Sequence, residues 1–129
     1  IIPRKLADKE LLNTRLTTTH IVESMHERKA MMAKLSSGFI TLPGGFGTLE
    51  ECCEMLTWAQ LTIHEKPCGI LNSLGFFDGF LGFLDHQVNQ GFVTPDNRAL
   101  LLEAADPETL LTLMKPQLNL RPPPGLSWG

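Results

Sequence analysis

Long apolar runs are missing from this 129-residue chain. None reaches the roughly 18 residues that a membrane span requires, so no membrane partner is expected. No basic start followed by an apolar stretch marks a signal peptide. An excess of basic charge is missing too. Eleven Lys and Arg stand against 14 Asp and Glu, for a net charge of −3, which excludes a nucleic-acid binder that relies on a basic surface. Cysteine is scarce. Cys52, Cys53 and Cys68 form no CxxC pair, and an odd count of this kind reads as reduced thiols in a cytoplasmic setting. His20, His64 and His86 are isolated, and no His/Asp/Glu spacing points to a metal. Neither a metal nor a cofactor is expected. Internal repeats are absent. What remains is enough chain for one small domain, with 43% hydrophobic residues to fill its core.

The pattern of elements alternates. "IIP" (1–3) reads as the end of a buried strand with its exit proline, and residues 5–13 as a short polar helix or loop. "TTTHIV" (17–22) is β-branched and strand-like. Ser24-Met25-His26-Glu27 has the form of a capping box, predicting a helix through about Leu35 with Gly38 marking its end. "GFITL" (38–42) and "PCGILN" (67–72) have strand length. Between them Leu49, Cys52, Cys53, Leu56, Ala59, Gln60 and Ile63 fall on one helical face. Asp78 is expected to cap a helix carrying Phe80, Leu81, Leu84 and Val88, closed by Gly91. "RALLLEA" (98–104) predicts a last strand, and Asp106-Pro107-Glu108 opens a final helix. Residues 1–115 form the expected α/β domain, and 116–129 a Pro-rich tail. Strands alternating with helices imply a parallel sheet flanked by helices, in which ligands bind beyond the carboxyl ends of the strands.

At such an end stands "FITLPGGFGTLEE" (39–51). Gly44, Gly45 and Gly47 lack a Cβ, so the backbone is free to adopt positive φ and to approach a ligand closely. A helix beginning near Thr48 offers free amides and a positive dipole end, the requirements of a phosphate site. This is not a Walker A loop, because no Lys-Ser/Thr pair follows the last glycine, and the GxGxxG spacing is absent. Thr48-x-x-Glu51 also fits a capping box, which would explain both residues without any ligand. Arg28, in the charged run Glu27-Arg28-Lys29-Lys34, reads equally as a solvated residue or as a cleft cation. His26 reads as an exposed helix residue.

"SMHERKAMMAKLSSGFITLPGGFGTLEE" (24–51) resembles the signature of the Lonely Guy (LOG) family, with its SMHxRK and PGGxGTxxE motifs. "LTWAQLTIHEKPCGILN" (56–72) and "FLDHQVNQGFV" (83–93) resemble it as well, so the likeness runs from Ile1 to about Leu113. LOG proteins are often mislabelled lysine decarboxylases. The chain has no serine-x-histidine-lysine stretch of the kind that would hold pyridoxal phosphate. The resemblance implies a Rossmann-like fold and hydrolysis of the N-glycosidic bond of cytokinin riboside 5′-monophosphates (N6-modified AMP), giving free base and ribose 5-phosphate. It assigns the phosphate to Gly44, Gly45, Gly47 and Thr48, catalysis to Arg28 and Glu51, and nucleotide-lining places to Met25 and Lys29. The implied partners are a nucleoside 5′-monophosphate and further copies of the chain, as a homodimer or larger oligomer. The resemblance also implies an earlier half before the position of Ile1. The chain is therefore expected to be a fragment, a truncated product, or a protein that assembles differently. A nucleotide nucleosidase of broader specificity, a non-catalytic nucleotide carrier and an inactive truncated form remain the alternatives.

Overall fold

A computed structural model describes residues 1–9 and 12–118. The predicted tail beyond residue 118 lies outside the described residues. The chain divides into two compact units, Ile1–Ser36 and Ser37–Gly129.

In the first unit, β1 (Ile2–Pro3) pairs in parallel with β2 (Ile21–Val22). The proline thus ends a strand as "IIP" predicts, while "TTTHIV" contributes only its last two residues to the ladder. A single turn, α1 (Arg4–Ala7), follows β1. Helix α2 (Met25–Leu35) starts on Ser24, whose Oγ accepts from the Glu27 amide at 3.1 Å. Glu27 reaches back, but to the amide of Glu23 rather than to that of the cap residue, at 2.7 Å. The box therefore satisfies two amides at the helix entrance, one residue wider than its ideal form.

The second unit is a parallel three-stranded sheet in the order β3 (Phe39–Thr41), β4 (Cys68–Leu71), β5 (Leu101–Ala104). Its two faces are distinct because side chains alternate along a strand. Gly69 and Leu71 of β4 share a face with Leu102 and Ala104 of β5, and this face receives Leu110 and Met114 of α6 (Pro107–Met114). Gly69 makes that packing possible. A Cβ there would stand 2.7 Å from Met114 Sδ and 2.9 Å from Leu110 Cδ1. The opposite face carries Cys68 and Ile70, and α3 (Phe46–Gln60) packs against β3 and β4 with Cys52 and Met55 buried. Helices thus flank a parallel sheet, the Rossmann-like arrangement expected. Two further helices, α4 (Asp78–Asn89) and the one-turn α5 (Pro95–Arg98), link β4 to β5.

Several local expectations change. Cys53 and Gln60 are exposed, and Ile63 lies beyond α3 with 62% of its surface exposed. Met55 takes the buried place instead, because 52, 55 and 59 stay on one side of a 3.6-residue helix. Asp78 is the first helical residue of α4 and not its cap, which is Phe77. Gly38 does not close α2. It is a packing glycine, whose added Cβ would meet Pro67 and Leu118 at 3.1 Å. Asp106 caps α6 as predicted, accepting from the Thr109 amide at 2.9 Å with Pro107 next in line. That amide holds the exposed Asp106 carboxyl below its usual range.

Candidate active site

The site begins where β3 ends. Thr41 is the last strand residue, and within five positions the chain has turned through Leu42, Pro43, Gly44 and Gly45 into α3. The helix starts at Phe46 with Gly45 as its N-cap, two residues earlier than the sequence suggests. Thr48 is therefore its third residue and not a cap, and Glu51 lies one turn further in. The capping-box explanation of Thr48 and Glu51 falls with that placement.

No side chain caps α3, and its first turn holds no acidic residue. Among the described helices of eight residues or more, this combination is found at α3 alone. Helix α2 has Ser24 and Glu27, α6 has Asp106 and Glu108, and α4 has Asp78 in its first turn. Free first-turn amides carry partial positive charge. At α3 they meet no side-chain cap and no first-turn carboxylate of its own, and they sit at the carboxyl end of a parallel strand.

The three loop glycines serve different ends. None has positive φ; among the described glycines that conformation belongs to Gly75 and Gly91. The expectation of positive φ at the loop is thus replaced by a question of space. A Cβ on Gly44 would collide with Thr48 Oγ1, so the closeness of that hydroxyl to the loop backbone requires glycine there. At Gly45 and Gly47 an added Cβ would meet nothing within 4 Å. Among the described residues, no neighbouring atom demands glycine at these two positions.

Beneath the loop, the Thr41 side chain hydrogen-bonds the Cys52 thiol. Burial raises the Cys52 thiol above its ordinary value and pushes that of Cys68 up to about 12. Both thiols remain protonated near neutrality, so they are packing groups and not nucleophiles. His64 joins α3 to the approach to β4. Its Nδ1 accepts from the Lys66 amide at 3.0 Å, so Nε2 carries the proton and donates to the Met55 carbonyl at 2.9 Å.

The remaining candidates lie on α2 in the first unit. Arg28 is half-buried, and its Nε donates to the Ile1 carbonyl at 3.0 Å. It is not the fully solvated residue that a charged run usually supplies. Lys29 is buried, with 6% of its surface exposed. Met25 is 45% exposed, and His26 is exposed as expected. One α2 turn thus carries Met25, Arg28 and Lys29, while one strand-to-helix junction carries Gly44, Gly45, Gly47, Thr48 and Glu51.

Asn72 escaped the sequence reading. It stands buried just past β4, where its Oδ1 accepts from the Phe77 amide at 2.7 Å. Its Nδ2 donates to Asp78 at 2.7 Å and to Glu103 at 3.1 Å. A polar residue closing the apolar run "CGIL" was the available signal.

Comparison with known proteins finds relatives over most of the chain. The family described as "possible lysine decarboxylase" matches residues 1–114. Curated relatives include the probable cytokinin riboside 5′-monophosphate phosphoribohydrolase LOGL5 of Oryza sativa subsp. japonica, 44% identical over 96% of this chain and 49% of its own length. The cytokinin riboside 5′-monophosphate phosphoribohydrolase LOG3 of Arabidopsis thaliana is 46% identical over 86% of this chain and 52% of its own. The probable enzyme of that name LOG6, also of Arabidopsis thaliana, is 49% identical over 81% and 52%. The chain spans about half the length of the curated relatives it matches.

Proposed function

The chain belongs to the family described as possible lysine decarboxylase, and from that membership we propose that it carries the phosphate-binding and catalytic segment of a cytokinin riboside 5′-monophosphate phosphoribohydrolase. The observation that carries this reading is the start of α3, with no side-chain cap and no first-turn acid, beside two glycines whose open side faces no atom of the described residues. A 5′-phosphate there accepts hydrogen bonds from the first-turn amides and complements the helix dipole. Thr48 adds a hydroxyl donor. The bound phosphate then positions C1′ of the ribose, so that binding energy remote from the reacting carbon lowers the barrier.

Glu51, beyond the first turn, is the proposed catalytic carboxylate. As the C1′–N bond breaks, its electron pair leaves on the base and C1′ becomes oxocarbenium-like. A carboxylate beside C1′ stabilises that charge and takes a proton from the attacking water, whose oxygen forms the new bond to C1′. The proton returns to the base nitrogen, and free base and ribose 5-phosphate result. Arg28 holds the second catalytic role, and Met25 and Lys29 nucleotide-lining places, on the strength of the family motif. We further propose a cytoplasmic protein that forms at least a homodimer. Free thiols support the first. Exposed apolar residues such as Ile63, Phe83 and Phe92 support the second.

The test uses the protein at its full length. Isopentenyladenosine monophosphate should yield free isopentenyladenine, and by calorimetry AMP should bind while adenosine does not. Equal affinity for AMP and adenosine would remove the phosphate reading; tight binding without release of base would make the protein a carrier.

A further inference from the structure

The loop after β4 has no place in the phosphate or catalytic roles, yet it is built with care. Leu74 sits at φ 54°, ψ 28°, in the left-handed region that a branched apolar residue adopts only at a cost. Its side chain is fully exposed, so nothing among the described residues rewards that strain. Gly75 follows with φ 71°, and Phe76 is 56% exposed. The loop is nonetheless fixed at its base. Asn72 donates its backbone N–H to the Ala104 carbonyl at 2.8 Å and holds the Phe77 amide with its side chain. Phe76 packs edge-on against the buried Phe77, with ring centroids 4.8 Å apart. A firmly based loop therefore projects one strained leucine and one phenylalanine outward.

Strand register places this projection. Thr41 of β3 pairs with Ile70 of β4 in a parallel ladder. Gly44 and Ser73 each lie three residues further on, so the glycine loop and the Leu74 loop leave the sheet at the same edge from neighbouring strands, about 5 Å apart where they depart. Leu42 and Phe46, 55% and 94% exposed, belong to the same edge. An apolar rim thus borders the proposed phosphate site.

We infer that Leu74 and Phe76 form the apolar contact for the hydrophobic N6 substituent of the nucleotide, and so set the preference for modified over plain AMP. This rests on the function proposed above. A phosphate clamp alone cannot discriminate between substrates that share ribose phosphate. The adjacent apolar projection supplies what it lacks, and an apolar ligand group covers exposed side chains that the chain itself leaves in water.

The test compares the full-length wild-type protein with Leu74→Gly and Leu74→Asp, both of which suit the left-handed backbone better than leucine. The expected result is a fall of about tenfold or more in the ratio of kcat/KM for isopentenyladenosine monophosphate over AMP, carried mainly by KM. Melting temperature should hold or rise. A ratio within twofold of wild type overturns the inference. So does an equal loss on both substrates together with a halved mass by light scattering, which would give the surface to a second copy of the chain. If the wild type hydrolyses neither nucleotide, the catalytic reading falls by itself. Calorimetric affinities of the two nucleotides for wild type and variants then decide the Leu74 contact: loss of the difference between them supports it, and an unchanged difference overturns it.

Discussion

Ser24-Met25-His26-Glu27 and Thr48-Leu49-Glu50-Glu51 obey one sequence rule: a hydroxyl residue followed three positions later by glutamate. The structure uses them in opposite ways. Ser24 stands before its helix and accepts from the Glu27 amide, and Glu27 turns back to the chain that leads in. Thr48 stands inside its helix, after a glycine cap that contributes no side chain. At α2 the motif consumes the free amides; at α3 it leaves that end without a side-chain cap. The first arrangement serves stability. The second leaves stability unclaimed at a place where an anion would restore it.

Removing one member of each motif is the strongest way to break this comparison. Glu51→Gln in the full-length protein should lower turnover by about 10²- to 10⁴-fold, the usual worth of a positioned acid or base, with little change in melting temperature. Ser24→Ala should do the reverse, costing about 1 kcal/mol of stability as lost caps do. Kinetics with isopentenyladenosine monophosphate beside thermal melts check both. Should Glu51→Gln melt early and still turn over, the two motifs would be equivalent after all.

The contrast within the glycine loop is next in size. Gly44→Ala forces a methyl onto the Thr48 side chain and should cost about 1–3 kcal/mol, the range for overpacking. The methyl of Gly47→Ala meets nothing within 4 Å among the described residues. Alanine at the second position of a helix is favourable by up to about 1 kcal/mol over glycine. That variant should therefore melt at or above the wild-type temperature while losing affinity for AMP, because its methyl enters the space proposed for phosphate. Thermal melts and calorimetry on the same samples separate the two effects. Equal destabilisation by both substitutions would mean that the loop glycines share one structural purpose.

Sequence and structure agree wherever a rule is local and complete. Asp106-Pro107-Glu108 names a cap, a first-turn proline and an acid, and each falls into place at α6. Strand and helix alternation yields the parallel sheet for the same reason: short apolar runs between amphipathic helices have few other ways to bury themselves. The disagreements arise where an outside partner decides. Nothing in "LPGGFGTLEE" says whether the helix starts at Phe46 or Thr48, since glycine caps without a side-chain signature. Gly38 looks like a helix terminator, but its neighbours Pro67 and Leu118 are distant in sequence and could not be foreseen. Asn72 was hidden similarly. Phe77 and Asp78 are close in the chain, but Glu103 comes beside it only once β4 and β5 are paired. At the candidate site, the motifs name the residues, while the register of β3 with β4 was needed to bring the Leu74 loop alongside the glycine loop.

The far ends of the helices sharpen the comparison with a smaller effect. Helix α4 closes with Gly91 at φ 83°, and its last turn is completed by bonds from the Phe92 amide to the Gln87 carbonyl at 2.9 Å and from Gly91 to Val88 at 3.0 Å. Helix α3 closes with the same pair of bonds, Ile63 to Trp58 at 2.9 Å and Thr62 to Ala59 at 3.1 Å. Here, however, the left-handed position is held by Thr62 at φ 56°. A left-handed β-branched residue costs about 1–2 kcal/mol, and glycine gives back roughly 0.5–1 kcal/mol of that through its greater freedom when unfolded. Thr62→Gly should therefore raise stability by about 0.5–1 kcal/mol, read as a higher urea midpoint at constant slope. Gly91→Thr should lower it by a similar amount. Both positions lie at helix C-termini, away from the proposed phosphate site at the N-terminus of α3, so affinity for AMP should not move. A lower midpoint for Thr62→Gly would show that the threonine side chain makes a contact worth more than the strain it imposes.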